Sequence, residues 1–433
     1  MSVTRNFVLL VALGGVLTLV ASLFEFHGTI FLLWNLLIFA FLGVDALLTP
    51  SAKAFNVRRG AEDTLYFKAE NEVVFYVYNA SNQYLEIQGK DDSRRFFTVL
   101  AEDLVHFVPP KSEQTFSYIT VPSKRGSFLF SKIFLRYKGV LGLCMKYAAL
   151  PNPIEFKVYP NIRDLSKYRL LVQKNRKLPQ GEKAVRQYGM GAEFESLRSY
   201  VDGDDYRKIN WQATARENKL MVNNYQIERN QPVYIMLDVG RPMSYTVNGY
   251  KKLDYAINAA LILTDIVNQQ GDKAGLMVFD ASVQAHLSPG QGAGHRNQLM
   301  ETLYNVRDNR LTADYEGAFQ TLCERQKRRS LVFIFTDFEI LEEAQDLIAH
   351  MAWLKKRHLP IVVFMANEGL NRLTAQPVHK QFDQVLKDTA TEFQTERKNI
   401  FRSLNAMGIP NVESSAEDFA LSAVNRYLML SKH

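Results

Sequence analysis

Residues 233–238 have the sequence Val-Tyr-Ile-Met-Leu-Asp, an unbroken apolar run that ends in an acidic residue. Two similar apolar runs follow at 331–335 and 360–365. Continuous runs of this kind are typical of strands that are buried on both faces of a mainly parallel sheet. Between the first two runs, residues 251–268 place apolar side chains at helical spacing. This alternation predicts a doubly wound α/β domain over residues 232–433. The remaining elements predicted for it are strands at 274–279 and 283–287 and helices near 295–306, 314–327, 341–357, 393–407 and 415–430.

Upstream of this domain the pattern changes to short, alternating apolar runs, such as those at 73–78 and 128–130, separated by Gly, Asn, Asp, Ser and Pro. That spacing of strands and turns predicts an antiparallel, Ig-like β-sandwich over residues 53–160. No cluster of His, Asp or Glu in this region suggests a catalytic site, so its expected role is packing or recognition. Residues 161–231 are polar and charged and form a connector between the two domains.

The N-terminus carries two long apolar runs, at residues 7–24 and 30–48, and the second contains Asp45 as its one charged residue. Each run has the length of a bilayer-spanning helix, and the short loop between them predicts a two-helix membrane anchor over residues 1–52. Arg5 precedes the first run and Lys53 follows the second. The positive-inside bias places both ends in the cytoplasm, which predicts a two-span protein of the bacterial inner membrane. The rival interpretation is that the first run is a cleaved signal peptide.

Composition narrows the class of protein further. The formal charge is +7 and the isoelectric point is near 9.1, but the basic residues are scattered and no nucleic-acid-binding module accompanies them. The two cysteines, Cys144 and Cys323, lie far apart, which argues against a disulfide framework and suits a reducing compartment. The eight histidines are dispersed, and the glycines at 290–294 lack the Lys-Ser or Lys-Thr of a phosphate loop. Nucleic-acid binding and the common enzyme classes are therefore not expected.

Two aspartates are candidates for chemistry because each follows an apolar strand. Asp238 and Asp337 are expected at the carboxyl edge of the sheet, where ligands of doubly wound domains bind. Together with the hydroxyl of Thr312 they offer oxygen ligands to a divalent cation such as Mg²⁺. The alternative is that each aspartate caps a helix or loop.

Residues 199–216 have the sequence SYVDGDDYRKINWQATAR. This segment resembles the signature of a bacterial family named domain of unknown function 58, and the α/β region after it is similar to a von Willebrand factor A domain. The resemblance extends upstream to the segments at 125–126, 140–143 and 158–160, and so covers most of the chain. Members of that family often have paired N-terminal membrane spans and are associated with MoxR-type AAA+ ATPases. The resemblance therefore implies a membrane protein with an ATPase partner.

The von Willebrand A pattern also implies a metal site at the strand ends. Carried over to this sequence, its two aspartates are Asp238 and Asp337 and its threonine is Thr312. Its two serines correspond to Gly240 and Pro242, which have no side-chain oxygen, so two direct ligands for Mg²⁺ are missing. An alternative hypothesis is that Arg241 or a nearby lysine lies against the two aspartates and replaces the charge of the metal.

The signature segment supplies the candidates for partner binding. Trp211 is flanked by arginines, which is typical of a docking surface, but it is equally expected as a core residue that fixes the connector. The acidic residues of the segment are expected either to form salt bridges with the arginines or to gather a cation. The full set of candidates is Asp202, Asp204, Asp205, Arg207, Trp211, Arg216 and Arg241.

These observations predict a membrane-anchored scaffold protein without catalytic activity. By resemblance, its partner is a MoxR-type AAA+ ATPase, and the joint role is assembly or maturation of other complexes. Membrane lipid is a further partner through the N-terminal helices. Two alternatives remain open: a metal-dependent hydrolase that uses the strand-end aspartates, and an adhesion-like module that faces outward.

Overall fold

The computed structural model describes residues 2–21, 27–60, 63–92, 96–103, 105–161, 192–201, 206, 209–227, 230–338, 340–377 and 380–431. The chain divides into two compact units, Met1–Asn161 and Ile162–His433. Most of the predicted connector, including 162–191, lies outside the described residues.

Two apolar helices open the first unit: α1, Arg5–Ala21, and α2, His27–Leu48. Within α2, the stretch Phe31–Leu48 is long and apolar enough to cross a membrane, whereas α1 is a shorter apolar helix. The helices contact one another, since the rings of Phe7 and Phe39 lie 6.0 Å apart and Trp34 Nε1 donates a hydrogen bond to the Leu10 carbonyl at 3.2 Å.

Two sheets make up the rest of the first unit. A six-stranded sheet has the order β1-β10-β9-β5-β7 with β3 beside β10, and a four-stranded sheet has the order β2-β4-β8-β6. Neighbouring strands are antiparallel except for β3 and β10. The strands are β1, Ser2–Val3; β2, Phe55–Arg59; β3, Thr64–Tyr66; β4, Asn71–Asn79; β5, Leu85–Asp91; β6, Phe97–Asp103; β7, Val105–Val108; β8, Ser112–Pro122; β9, Gly126–Lys138; and β10, Cys144–Tyr159.

A buried polar cluster joins these two sheets. Arg59 on β2 forms an ion pair with Asp91 on β5, and the Tyr118 hydroxyl on β8 donates to Asp91 Oδ2 at 3.0 Å. Arg59 also donates to the Lys132 carbonyl on β9 at 3.1 Å. Because a buried ion pair is tolerated only when its remaining polar atoms are hydrogen-bonded, these extra bonds explain how the pair fits between apolar sheets.

The second unit begins with a two-stranded ribbon and a short helix: β11, Ala192–Ser199; α3, Trp211–Glu217; and β12, Met221–Ile227. A six-stranded mixed sheet follows, with the order β17-β16-β13-β18-β19-β20, in which β17 alone runs antiparallel to its neighbour. The elements are β13, Pro232–Asp238; β14, Thr246–Val247; β15, Tyr250–Lys251; α4, Lys252–Gln269; β16, Lys273–Phe279; β17, Val283–Gly290; α5, Gly292–Tyr304; α6, Tyr315–Arg325; β18, Leu331–Phe335; α7, Leu341–Arg357; β19, Leu359–Met365; α8, Glu368–Ala375; α9, Gln381–Ala406; β20, Asn411–Ser414; and α10, Phe419–Ser431.

Helices cover both faces of this sheet. Alternate residues of β13 point to opposite faces, so Val233 and Ile235 pack with α4 and α10, whereas Tyr234 and Met236 pack with α6, α7 and α9. The prediction of a mixed sheet with helices is thus confirmed. Helix α9 begins at Gln381 rather than near 393, and its first half is largely exposed, with Phe382, Val385 and Leu386 at helical spacing on its surface.

The strand order reverses between β13 and β18. The strands β16 and β17 lie on the outer side of β13. The strands β19 and β20 lie on the outer side of β18, towards the opposite edge of the sheet. In doubly wound sheets the crevice for ligands opens at the carboxyl ends of the two strands where this reversal occurs. Asp238 is the last residue of β13, and Asp337 lies two residues after the end of β18.

Candidate functional site at the strand ends and the ribbon

Asp238, the last residue of β13, is buried and fully hydrogen-bonded. Its Oδ1 accepts the backbone N–H of Gly240 at 2.7 Å, and its Oδ2 accepts the hydroxyl groups of Tyr315 and Thr336 at 2.7 Å each. Burial raises the pKa of Asp238 and the nearby Asp280 adds to the rise, while the three hydrogen bonds oppose it. The carboxyl group is therefore occupied by neutral donors from its own domain.

Asp337, two residues after β18, lies between two buried cations. Lys252 Nζ donates to Asp337 Oδ2 at 2.5 Å, and Arg397 Nη1 donates to Asp337 Oδ1 at 2.7 Å. Arg397 also donates through Nε to Glu413 Oε1 at 2.7 Å. Burial by itself would lower the pKa of Arg397, but the charges of Asp337 and Glu413 outweigh it and raise that pKa. The two positive charges of Lys252 and Arg397 thus equal the two negative charges of the carboxylates in this cluster.

Local structure explains how the two cations reach Asp337. Lys252 is the first residue of α4, whose start is fixed by Asp254 accepting the Lys251 N–H at 3.1 Å. Arg397 lies on the buried side of α9 together with Ile400, so its guanidinium group points into the domain. Sequence patterns did not identify these residues. The sequence contains one signal for Lys252: it lies at the start of the helix that follows the first apolar strand, and therefore near the end of the sheet that carries the aspartates.

Of the two cations in the hypothesis, Arg241 does not lie against the aspartates, whereas a lysine, Lys252, does pair with Asp337. Arg241 pairs with Glu343 at the surface, so it is not directed at the aspartates. The cations beside Asp337 are Lys252 and Arg397.

The residues at this edge do not fit a divalent cation. Thr312 is exposed and is not among the donors to Asp238 in the described part of the chain. A Cβ at Gly240 would lie 2.8 Å from the Leu311 carbonyl oxygen, so the loop fills the space that a serine ligand would need. Among the described residues, no three His, Cys, Asp or Glu side chains gather into a metal-binding group. Lys252 and Arg397 already supply the positive charge that a metal would bring.

The ribbon segment presents a different kind of surface. Trp211 is 69% exposed at the start of α3, and four more apolar residues of the same segment are exposed: Leu197, Val201, Tyr206 and Leu220. We call these five residues the ribbon surface. Arg216 is exposed on the same helix. The candidates Asp202, Asp204, Asp205 and Arg207 lie outside the described residues.

The helix that carries Trp211 is held in place by other residues. The Asn210 side chain accepts the Ala213 N–H at 3.0 Å, and Thr214 Oγ1 accepts the Met221 N–H at 3.0 Å. Ala213 and Val222 are buried on the inner side. These residues fix the helix to the ribbon. Trp211 is on the opposite, exposed side, so it lies at the surface and is not part of this core.

Residues 196–403 match the model of a family described as "Protein of unknown function DUF58". "Uncharacterized protein Rv1480" of Mycobacterium tuberculosis (strain ATCC 25618 / H37Rv) is 23% identical over 152 residues, which are 35% of this chain and 48% of that protein. "Uncharacterized protein YeaD" of Bacillus subtilis (strain 168) is 26% identical over 128 residues, 30% of this chain and 32% of that protein. The match thus spans about half the length of the mycobacterial relative. A solved structure, "Structure of WR4, a C.elegans MSP family member", is 14% identical and covers 23% of this chain and 97% of its own, with a TM-score of 0.16.

Proposed function

We propose that this protein is a membrane-anchored scaffold that binds a partner protein through the ribbon surface; the premise is that residues 196–403 match the model of the DUF58 family, whose function is unknown. The observation that carries the proposal is the exposure of Trp211. Tryptophan, tyrosine and arginine supply most of the binding energy at protein interfaces, and this segment presents Trp211, Tyr206 and Arg216 to solvent. Trp211 lies on a helix that is fixed to the ribbon, and the other four residues of the ribbon surface lie on β11 or in the loops beside that helix. Exposed apolar side chains of this kind are typical of an interaction site.

The proposed partner is a MoxR-type AAA+ ATPase, and the proposed consequence is assembly or maturation of other protein complexes. This part rests on the resemblance of residues 199–216 to the family signature. The exposed position of Trp211 within that signature agrees with it, because a partner shared by a family needs an accessible surface in the shared segment.

The proposed anchor is an antiparallel pair of spans formed by α1 and α2. Thr4, just before α1, donates its N–H to the Leu143 carbonyl at 3.0 Å, and Asp45, near the end of α2, accepts the Leu143 N–H at 2.8 Å. The start of one helix and the end of the other therefore meet at one residue. Arg5 and Lys53 flank the pair, so we place both folded units in the cytoplasm, at the bacterial inner membrane.

For the folded part we propose a β-sandwich followed by a von Willebrand factor A-like domain in which a buried ion-pair cluster replaces the metal site. The strand order and the position of Asp238 and Asp337 beside the strand reversal support this proposal. We assign no catalytic step to the protein; the hydrogen bonds that Tyr315 donates to Asp238 and Lys252 donates to Asp337 support this assignment.

The test is copurification of the tagged full-length chain in mild detergent, with and without ATP, followed by mass spectrometry. We expect an AAA+ ATPase to copurify, to be lost with Trp211→Ala and to be retained with Phe382→Ala. Phe382 is the matched control, since it is also aromatic and also 69% exposed, near the start of α9. Equal recovery with both variants would exclude the ribbon surface. Recovery of envelope proteins without any ATPase would favour an independent scaffold or adhesion role.

A further inference from the structure

The turn between β9 and β10, residues 139–143, is built around the side chain of Asp45 in the last turn of α2. Oδ1 of Asp45 accepts the N–H of Leu141 at 2.7 Å, and Oδ2 accepts the N–H groups of Leu143 and Cys144 at 2.8 Å each. Asp45 is completely buried. Three backbone donors thus replace water around a carboxyl group that lies within an apolar helix, where an unpaired polar group would be costly.

Two further residues fix this contact. A Cβ on Gly139 would fall 2.6 Å from Asp45 Cγ, so glycine is needed for the carboxyl group to approach the turn. Lys146 Nζ donates to the carbonyl oxygens of Ala46 at 2.8 Å and Thr49 at 2.7 Å. Carbonyl groups at the end of a helix lack partners within the helix, and Lys146 satisfies two of them. The turn is therefore attached firmly to the end of α2.

The depth of the turn follows from its position along α2. The apolar stretch of α2 ends at Leu48, and Asp45 lies one turn earlier, about 4.5 Å along the helix axis. The headgroup layer on each side of a bilayer is roughly 5–8 Å thick. If α2 crosses the bilayer, residues 139–143 lie at the level of the headgroups. Val140 and Leu141 expose 44% and 47% of their surface there.

Charged and aromatic residues lie beside the start of α1 and after the end of α2, the two helix ends next to this turn. Arg5 at the start of α1 and Lys53 just after α2 are both exposed. Tyr147 on β10 is exposed, and its hydroxyl lies 3.1 Å from Ser2 Oγ, beside the start of α1. Lysine and arginine next to a span attract anionic lipid, and tyrosine is enriched at headgroup depth.

We propose that residues 139–143 form a lipid-binding turn. Val140 and Leu141 insert at the boundary between headgroups and acyl chains of the membrane that holds α2, and Arg5 and Lys53 bind lipid phosphates beside them. The inference rests on the proposed anchoring role of α2. The consequence is that the first unit contacts the bilayer at two places, through the helices and through the turn, and not through the helices alone.

The experiment uses the full-length chain in nanodiscs of phosphatidylethanolamine and phosphatidylglycerol, labelled with an NBD fluorophore at one introduced cysteine. The sites are Leu141→Cys, Leu129→Cys and Leu47→Cys. Leu129 is the matched control, because it is a leucine of β9 with 49% exposure, about 30 Å along the strand pair from the turn. Both native cysteines are buried, and the unsubstituted chain reacted in parallel gives their background.

We expect a nitroxide-labelled lipid to quench the fluorophore at 141 and at 47, and aqueous iodide to quench it at 129. Quenching by lipid at 47 but by iodide at 141 would overturn the lipid-binding turn and leave the anchor intact. Quenching by iodide at all three sites would overturn the anchor and the inference that rests on it. Protection of 141 from both quenchers would mean that protein and not lipid covers the turn, which also overturns the proposal.

Discussion

Lys252 and Asp337 form a buried ion pair across 85 residues of sequence, with Lys252 Nζ 2.5 Å from Asp337 Oδ2. The pair lies at the carboxyl end of β18, beside the reversal of strand order where doubly wound domains bind their ligands. Here charged side chains of the protein itself fill this edge of the sheet, which supports the proposed binding at the ribbon surface.

Replacing Lys252 by methionine is expected to destabilise the second unit strongly. Removing one partner of a buried ion pair leaves an uncompensated charge, which costs about 3 kcal/mol or more. Hydrogen exchange of the β13 and β18 amides in the full chain measures the effect. Lys251→Met is the adjacent control, since Lys251 pairs with Asp308 while remaining 44% exposed, and its loss is expected to cost about 1 kcal/mol or less. Equal effects of the two substitutions would contradict the buried role of Lys252.

The strand-end aspartates are expected not to bind Mg²⁺ or Mn²⁺. Isothermal titration calorimetry of the full-length chain in detergent should show no saturable binding in the micromolar range, because Lys252 and Arg397 occupy the place of the metal charge. Gly240→Ser, which restores one serine of the motif, should not create binding and should lower stability, since its Cβ would contact the Leu311 carbonyl. Saturable binding that Asp238→Ala abolishes would show this prediction to be wrong.

The sequence predicted the sheet of the second unit well but its ion pairs poorly, and the reason is physical. Apolar periodicity is a local property, so the strands predicted at 331–335 and 360–365 can be recognised from the sequence alone. The partners of Asp337 lie 85 and 60 residues away, and only the tertiary fold brings them together. For Trp211, core and surface positions have the same local pattern, and the choice between them depends on which side of α3 packs on the ribbon.

Asp45 illustrates a second limit of sequence patterns. Its carboxylate oxygens accept the backbone N–H groups of Leu141, Leu143 and Cys144, which lie 96, 98 and 99 residues away in the sequence. Backbone donors are present at almost every position, so no side-chain pattern marks the ones that a distant carboxylate will bind.

Acid is expected to destabilise the second unit through His358, which joins α7 to β19. The side chain is buried, and neither ring nitrogen has a hydrogen-bond partner among the described residues. Burial, together with the charges of Arg357 and Arg329, lowers the pKa of His358 from 6.5 to about 4. Because the unfolded chain binds the proton at higher pH than the folded chain does, the free energy of unfolding should fall as the pH drops from 6.5 towards 4.

The loss over that window is about 3 kcal/mol, from roughly 1.4 kcal/mol for each unit of pKa difference. His358→Leu removes the titrating group, so the difference in stability between the two chains isolates its contribution from other acids and bases. Hydrogen exchange of the β19 amides at pH 7 and pH 5 is the measurement. Parallel changes in the two chains would exclude His358 as the cause.

The contact between α2 and the turn at 139–143 makes a prediction that is independent of lipid. Gly139→Ala places a methyl group against the Asp45 carboxyl group, 2.6 Å from Cγ, so either the side chain or the turn must move and the three backbone N–H bonds are lost or lengthened. Leaving such donors unsatisfied costs about 1–3 kcal/mol each, so the thermal midpoint of the first unit in detergent should fall by several degrees. Gly43→Ala on α2 is the control, because nothing lies within 4 Å of its added Cβ, and it should leave the midpoint unchanged. If both variants melt at the same temperature as the parent chain, the Asp45 side chain does not hold the turn at 139–143 against the end of α2.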